Sequence, residues 1–484
     1  MPEGDPPQNH ARRRRWPRRT AVGLVVVLLL AAGATYRFDL GRRWFGDDAP
    51  SPVTDPARVP PPAGLTLPTA RRAAPVAAPG TSGPVDAAAV RSAVTSLLRY
   101  KRLGRHVVVR VARSSDGTVV YRHGGGRVTP ASTMKLLTTV AALQALGPEH
   151  RFTTSVVAKP GSRRVVLVGG GDPLLVRTPL TDGSYPARAD LDTLAADTAR
   201  ALRRAGRTRI TLGYDTTLFA GPSVNPSWEP TYVPDDVVSP VSALWVDEGR
   251  KTPGLADRAP APAVVAARSF AQSLGRRGIT VTGPPRPGAA AGSGRTIAAV
   301  RGAPLAQVVQ HVVEVSDNEG AEVLAHQVAV AEGRRASFTG SAAAVRSVLR
   351  RIGVDTTGDR ILDGSGLARR NRLSPQTLMA VIREASSPRR PELRSAVATL
   401  PVAGFSGSLA TRFDTGDPAG PGLVRAKTGT LTGVHGLAGT VTTVDGAVLS
   451  FLAIADRVRG PDQLAARIRV DEVAAALAGC SCER

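Results

Sequence analysis

Cysteine is nearly absent from this 484-residue chain, which contains only Cys480 and Cys482. Two cysteines cannot supply the disulfide framework that holds many small exported domains together. With one residue between them, a bridge is strained, and the pair alone is too small for a metal site. We therefore expect the fold to depend on a hydrophobic core, and we assign the two cysteines no role.

Aromatic residues are also scarce, at 4% of the chain, although the formal net charge is +24. Proteins that bind single-stranded nucleic acid combine a basic groove with aromatic side chains, and that combination is missing here. The charge is almost all arginine and is spread along the chain. It indicates a solvated basic surface, with attraction to anionic wall polymers or lipid headgroups as the alternative. We predict no nucleic-acid partner.

The seven histidines form no metal-ligand spacing, and the chain lacks H-E-x-x-H, G-x-S-x-G and G-x-x-x-x-G-K-[ST]. These patterns mark zinc peptidases, α/β-hydrolases and P-loop proteins, respectively. We predict no metal and no cofactor. His311 and His326 are interpreted as surface or core residues, whereas His435 remains a candidate because it follows the third motif described below.

Positive charge followed by apolar residues marks the N-terminus. Residues 1–19 hold six arginines against two acidic residues, and residues 20–36 are uncharged and strongly apolar. Seventeen residues lie at the lower limit for a membrane-spanning helix, and the arginines place the tail in the cytoplasm. We favour an uncleaved transmembrane anchor, and the alternative is a signal segment cleaved at the A-x-A site of 32–34. Either one predicts export.

The rest of the chain divides into a spacer and a globular part. Prolines are dense over 37–85, which predicts an extended linker. Strand patterns after the first helix and near the C-terminus predict one antiparallel sheet with helices on both faces, a three-layer α+β domain formed by 86–151 and 301–484. The long stretch between them, 152–300, predicts an inserted domain.

Three short motifs indicate the chemistry: Ser132-Thr133-Met134-Lys135, Ser316-Asp317-Asn318 and Lys427-Thr428-Gly429. Lysine is rare here, with five residues against 58 arginines, and two of the five lie inside these motifs. A hydroxyl beside an amine, a polar turn and a cationic strand are the parts of a serine acyl-transfer site.

The first motif predicts an activated nucleophile. On a helix, Ser132 and Lys135 lie one turn apart and share a face. The apolar residues around Lys135 predict a lowered pKa for its amine, as a general base requires. Ser132 also lies near a helix start, where backbone N–H groups can stabilise an oxyanion.

The other two motifs predict substrate contacts. Ser316 suits proton transfer to a leaving group and Asn318 suits a substrate amide, although a plain helix-capping turn is the alternative. Lys427 can attract a carboxylate, and Thr428 adds a hydroxyl donor. Gly429 leaves room for a substrate backbone, and an exposed lysine on an edge strand is the alternative.

Together the motifs resemble those of the DacB-type D-alanyl-D-alanine carboxypeptidase/endopeptidases, the penicillin-binding proteins of low molecular mass class C. The likeness extends over nearly all of 86–484. It includes the further segments Gly170-Gly171-Asp172-Pro173, Asp215 to Phe219, Asp363-Gly364-Ser365-Gly366-Leu367 and Leu400-Pro401. It implies a β-lactamase/transpeptidase-like three-layer domain, an antiparallel sheet flanked by helices, with an inserted mixed α/β domain between the first and second motifs.

The resemblance also implies roles for individual residues. The catalytic residues would be Ser132, Lys135 and Ser316, and the substrate-binding residues would be Asn318, Lys427, Thr428, Gly429, Thr430, Arg369 and Asp215. Within this set, the N–H groups of Ser132 and Thr430 would form the oxyanion hole, and Arg369 and Asp215 would shape a pocket for a substrate side chain. The chain departs from the family at Ala368, where serine is usual, and at Asp456, where asparagine is common.

The implied function is that of a serine DD-peptidase, a carboxypeptidase and in some cases an endopeptidase, that acts on peptidoglycan stem peptides and is acylated by β-lactams. We expect a single-pass protein of the cell membrane with its catalytic part outside the cytoplasm. One alternative is a serine β-lactamase, and another is a non-catalytic wall-binding or β-lactam-sensing protein. The complete set of motifs argues against the last, because a binding module has no need of Lys135.

Overall fold

The computed structural model describes residues 83–180, 183–290, 292 and 294–483. The predictions for the basic tail (1–19), for the anchor or signal segment (20–36) and for nearly all of the linker (37–85) lie outside these residues. Within the described ranges, no helix combines the length and apolar character needed to cross a membrane.

Eleven strands form two sheets in the described part of the chain. They are β1 (Val107–Arg113), β2 (Val119–His123), β3 (Thr153–Ala158), β4 (Arg164–Val168), β5 (Arg209–Asp215), β6 (Thr280–Val281), β7 (Arg286–Pro287), β8 (Arg295–Arg301), β9 (Val424–Leu431), β10 (Val434–Thr442) and β11 (Val448–Ala455).

The helices of ten residues or more surround these sheets. They are α1 (Ala87–Leu98), α2 (Met134–Leu146), α3 (Leu191–Arg204), α4 (Pro262–Gly275), α5 (Leu305–Glu314), α6 (Asn318–Ala331), α7 (Phe338–Arg351), α8 (Pro375–Ser386) and α9 (Gln463–Ala478).

The first sheet is antiparallel, in the order β2-β1-β11-β10-β9, and joins both ends of the globular part. Because strand side chains alternate between faces, Val108 packs among α2, α5, α6, α7 and α8, whereas its neighbour Val109 packs with α1 and α9. One hydrophobic core therefore lies on each side of the sheet. This arrangement confirms the predicted three-layer α+β fold.

The second sheet is mixed, in the order β6-β5-β4-β3-β8, with β7 paired to β5. Strand β4 runs parallel to β5 and antiparallel to β3. Helices α3 and α4 supply the apolar side chains that cover it, among them Leu194 and Phe270. All six strands fall between 153 and 301, and the domain boundaries at 152 and 300 stay a prediction.

The two cysteines differ from expectation, because the structure joins Cys480 to Cys482 by a disulfide. Their side chains are buried beside α9, in the core that α1 and α9 form against the sheet. The bridge joins two sulfurs whose spacing in the sequence argued against one. The ring closes over a single intervening residue, so it ties no distant segments together.

Candidate active site

Ser132 lies in a single 3-10 turn, Ala131–Thr133, that leads directly into α2. Ala131 has a φ of 46°, a left-handed conformation that is rare outside glycine. Gly366 lies against this turn, and a Cβ at Gly366 would approach the Ala131 carbonyl oxygen to 1.8 Å. A glycine at 366 is therefore required for this loop to support the turn that carries Ser132.

Lys135 is completely buried, and its Nζ donates three hydrogen bonds. The acceptors are Ser132 Oγ at 3.0 Å, Asn318 Oδ1 at 2.8 Å and the Ser365 carbonyl oxygen at 2.9 Å. Burial lowers the pKa of Lys135 to about 8, against the opposing influence of nearby carboxylates, of which Asp317 is the strongest. A fraction of the lysine is thus neutral near physiological pH and can accept the Ser132 proton.

We expect the rate of Ser132 acylation to rise with pH and to level off above about pH 8, because only neutral Lys135 can act as the base. The rate of labelling by a fluorescent penicillin, measured from about pH 6 to about pH 10, would show this increase and the plateau above it. Melting temperatures over the same range control for unfolding. A rate that stays constant through this range would contradict the assignment of Lys135 as the base.

The second motif is tied to the first through Asn318, which begins α6. Its Oδ1 accepts from Lys135, and its Nδ2 donates to the carbonyl oxygen of Val237 at 3.1 Å. Both ends of the amide are therefore held. Ser316 lies two residues earlier, partly exposed, with a φ of 62° in the break between α5 and α6.

The third motif lies on β9 beside the nucleophile turn. Lys427 is completely buried, and its Nζ donates to Thr428 O at 3.2 Å and Thr428 Oγ1 at 3.3 Å. Burial lowers the pKa of Lys427 well below its usual value, and the charges of Lys135 and Arg412 lower it further. Among the described residues, no carboxylate forms an ion pair with Lys427.

Gly429 has a different close neighbour from the expected one. A Cβ there would lie 2.8 Å from the Pro130 carbonyl oxygen and 3.1 Å from Thr133 Cγ2. The glycine therefore lets β9 pack against the turn that carries Ser132. From the sequence, a substrate backbone was the expected neighbour at this position. Thr430 follows on the same strand, opposite His435 of β10. Burial lowers the pKa of His435 to about 4, so its ring is neutral.

Two buried carboxyl groups to which the sequence had assigned no role support the site. Glu322 accepts hydrogen bonds from the N–H groups of Gly364 and Ser365, the residue whose carbonyl oxygen contacts Lys135. Burial, with the charge of Asp363, raises the pKa of Glu322 to about 8. A sequence signal existed, because Glu322 follows Asn318 by four residues on α6 and so shares its face.

Asp363 is the second of these groups. Its carboxylate accepts from Trp228 Nε1 at 2.9 Å and Asn371 Nδ2 at 2.7 Å. It also accepts from the N–H groups of Gly366 at 3.1 Å and Ala368 at 2.6 Å. These bonds fix the 363–368 loop that presents Ser365 O to Lys135 and Gly366 to the nucleophile turn.

The two predicted pocket residues contact different parts of the chain. Arg369 donates to Thr432 O at 2.7 Å, just after the third motif, and its Nε is 3.7 Å from Glu229. Asp215, at the end of β5, accepts from Thr217 N, Thr217 Oγ1 and Ala290 N at 2.7 to 2.8 Å. One oxygen is thus engaged in the turn that follows its own strand and the other by a distant backbone N–H group, and its role in substrate selection stays a prediction.

Asp456, the departure after the last strand, anchors the approach to the nucleophile turn. Its carboxylate accepts from Thr129 N at 2.6 Å and contacts His106 Nδ1 at 2.5 Å. The segment that enters Pro130 is therefore attached to the end of β11.

In the part of the chain that the structure describes, one largely buried cluster has the side chains to hold a cation. Oxygens of Glu248 and Asp317 and a nitrogen of His311 lie within 4.8 Å of one another. However, Glu248 already pairs with Arg188 and Arg250, so two arginines supply the positive charge that a cation would bring.

A serine in the turn that leads into a helix, a buried lysine on that helix, a polar turn and a cationic edge strand, all on a three-layer α+β domain, define a serine acyltransferase of the penicillin-binding type. The chain matches the D-Ala-D-Ala carboxypeptidase 3 (S13) family over residues 90–261 and 251–477. It belongs to this family and is a serine-type D-Ala-D-Ala carboxypeptidase, as the motifs had implied.

Similar proteins agree with this assignment. The chain is 35% identical to carboxypeptidase DacB of Mycolicibacterium smegmatis over 97% of its own length and 99% of the relative's. It is 29% identical to a D-alanyl-D-alanine carboxypeptidase of an Actinomadura species, over 76% of this chain and 80% of the relative. Penicillin binding protein 4 of Haemophilus influenzae has the same fold, with a TM-score of 0.65 at 22% identity over 80% of this chain and 98% of that one.

Proposed function

We propose that this enzyme removes the terminal D-alanine of peptidoglycan stem peptides through an acyl-enzyme on Ser132. The observation that carries the proposal is the contact of the buried Lys135 Nζ with both Ser132 Oγ and Asn318 Oδ1. This contact joins the first motif to the second, 183 residues away, around one desolvated amine.

Recognition of the substrate depends on Lys427. A buried ammonium group without a carboxylate partner is costly, and the terminal carboxylate of the peptide supplies the missing negative charge. Thr428 Oγ1, in contact with Lys427 Nζ, donates its proton to the same carboxylate. The charge-assisted bonds then fix the scissile amide relative to Ser132.

The proposed reaction assigns one step to each group. Neutral Lys135 takes the Ser132 proton while Oγ attacks the carbonyl carbon, and the N–H groups of Ser132 and Thr430 stabilise the oxyanion. Ser316 passes the proton to the leaving nitrogen, and D-alanine departs. Water then attacks the ester, its proton is accepted by the same base, and Ser132 regains its hydrogen.

β-Lactams acylate the same serine in this scheme. Incubation of the enzyme with defined muropeptides, followed by mass analysis, tests the proposal. We expect pentapeptides to lose the mass of one D-alanine residue. Products that show only cleaved cross-links would assign endopeptidase action instead, and unchanged muropeptides together with rapid destruction of penicillin would support the β-lactamase alternative.

We further propose that the enzyme works on the outer side of the cell membrane, held by residues 20–36. The six arginines of 1–19 and the proline-rich segment 37–85 support this location, since they suit a cytoplasmic tail and an extended spacer. The intact mass of the protein in the membrane fraction distinguishes an uncleaved anchor from a processed signal segment. A cytoplasmic pool of full-length protein would contradict both.

A further inference from the structure

A segment that belongs to none of the motifs lies against the start of α6. It comprises residues 236–258, between β5 and α4, and we call it the clamp segment. The carbonyl oxygen of Val237 accepts from Asn318 Nδ2 at 3.1 Å, and Ser239 N donates to Glu319 Oε1 at 3.0 Å. The clamp segment is therefore bonded to two consecutive residues of α6, and the first of them is the amide of the second motif.

The strongest contact of the clamp segment is a buried ion pair. Arg258 Nε donates to Glu319 Oε1 at 2.8 Å, and the two side chains are only 7% and 4% exposed. Burial raises the pKa of Glu319, and the Arg258 guanidinium opposes that shift. Loss of either partner would leave the other as an unpaired buried charge, which is strongly unfavourable. Arg258 thus fixes Glu319, which lies in the first turn of α6.

The clamp segment is closed on itself, so that Arg258 is also held. Its backbone N donates to Asp236 Oδ1 at 2.7 Å, and its Nη1 donates to the carbonyl oxygen of Ala256 at 2.6 Å. Between these two ends, Ser239 Oγ donates to the carbonyl oxygen of Glu248 at 2.7 Å. These internal bonds give the segment a defined shape against which α6 can be positioned.

Backbone strain concentrates where the clamp segment meets the second motif. Six non-glycine residues of the described chain have a positive φ, and three of them lie in the clamp segment: Asp236, Asp247 and Glu248. A fourth is Ser316, with a φ of 62°. Such conformations cost free energy and persist only where the surrounding contacts enforce them. Ser316 therefore depends on its surroundings, which include the anchored start of α6.

We propose that Arg258 is a positioning residue for the second motif, because its ion pair with Glu319 fixes the first turn of α6. Asn318 in that turn and Ser316 just before it are thereby held in the arrangement that acylation requires. The inference rests on the proposed function, since it assigns a support to groups that this function uses. It also gives part of the stretch between the first and second motifs a role in catalysis.

The test measures labelling by a fluorescent penicillin at increasing concentrations, which separates the limiting rate of acylation from the half-saturating concentration. We expect Arg258→Gln to lower the limiting rate about tenfold, since a small displacement of the catalytic groups slows the reaction. The half-saturating concentration should change less than about threefold, because the groups proposed to hold the ligand carboxylate lie on β9. Arg258→Lys keeps the charge and should recover most of the rate. Each rate is normalised to the final amount of labelled enzyme.

A double variant separates positioning from stability. Arg258→Met combined with Glu319→Met replaces the buried pair by apolar side chains, which often leaves stability unchanged or higher. Ser239 N then loses its acceptor, so the start of α6 stays unanchored. We expect a melting temperature near that of the wild type and a limiting rate that is still about tenfold lower. This variant decides the question if Arg258→Gln does not fold.

Arg277→Gln is the matched control, because it breaks another ion pair in the stretch between the first and second motifs. Arg277 Nη2 lies 2.6 Å from Asp192 Oδ2 of α3. This variant should keep the limiting rate of the wild type even if its melting temperature falls. Asn318→Ala is the positive control and should lose the rate.

The outcomes separate this inference from the proposed function. An unchanged limiting rate in Arg258→Gln beside a lost rate in Asn318→Ala would overturn the role of Arg258 and leave the function intact. A wild-type rate in the double variant would also overturn it, since the pair would then supply stability alone. An equal loss in Arg277→Gln would overturn it as well. If Asn318→Ala too keeps the rate, the second motif is not part of the site and the proposed function itself is wrong.

Discussion

Ser132→Ala should abolish covalent labelling by fluorescent penicillin and lower D-alanine release on the order of 10⁴-fold or more, because the same hydroxyl forms the acyl ester in both reactions. The protein should stay folded. Ser132 is partly exposed, and the change removes one hydrogen bond, that from Lys135 Nζ, which contributes about 1 kcal/mol. Gel fluorescence, chromatography of released D-alanine and the melting temperature measure the three quantities.

Ser406→Ala serves as the control, since it removes a hydroxyl that accepts a hydrogen bond from Val402 N, four residues earlier. It should be labelled at the wild-type rate. Labelling that persists in Ser132→Ala would refute the assignment of the nucleophile, whatever the activity of that variant.

Removal of the Lys427 charge should have the second-largest effect, and activity and stability should change in opposite directions. We expect Lys427→Met to lower kcat/KM for the carboxylate-terminated peptide about 100-fold, because the charge-assisted bond to the substrate is lost. The melting temperature should stay the same or rise, since methionine fills a similar volume without the cost of burying an unpaired ammonium group. Lys427→Ala should show the same loss of activity with a cavity in addition.

The same peptide with a C-terminal carboxamide is the control for this variant, and its turnover should fall much less. Wild-type rates on the carboxylate peptide in Lys427→Met would remove Lys427 from the substrate site. A fall in melting temperature together with equal losses on both peptides would show instead that the lysine maintains the structure of β9.

How far the site could be predicted depends on how local each contact is. The contact of Ser132 with Lys135 was predictable from helical spacing, because residues three apart share a face, although Ser132 itself lies in the 3-10 turn before α2. The contact of Lys135 with Asn318 spans 183 residues, and only the resemblance to a known family brought those two motifs together. The three-layer fold was predictable because strand patterns occur near both ends of the globular part. These strands could pair in one common sheet, as they do.

The groups that sequence reasoning missed act through the backbone. Glu322 and Asp363 work by accepting N–H groups of a loop, and no side-chain pattern shows which N–H groups a buried carboxyl will meet. Gly429 illustrates the same limit. The sequence indicated that a side chain would not fit at this position, but the group that approaches Gly429 is the Pro130 carbonyl oxygen, 299 positions earlier in the chain. The bridge between the two cysteines also went against the expectation from their spacing.

The order of strands in the first sheet has a consequence for biosynthesis. Strand β1, made early, has β11 as its inner neighbour, and the lysine-bearing β9 joins the sheet only through β10 and β11. A chain that emerges from its N-terminus holds Ser132 and Lys135 long before the residues that must face them. Catalytic competence is therefore acquired in the last steps of synthesis, and a nascent chain truncated before residue 448 has no means of assembling the enzyme.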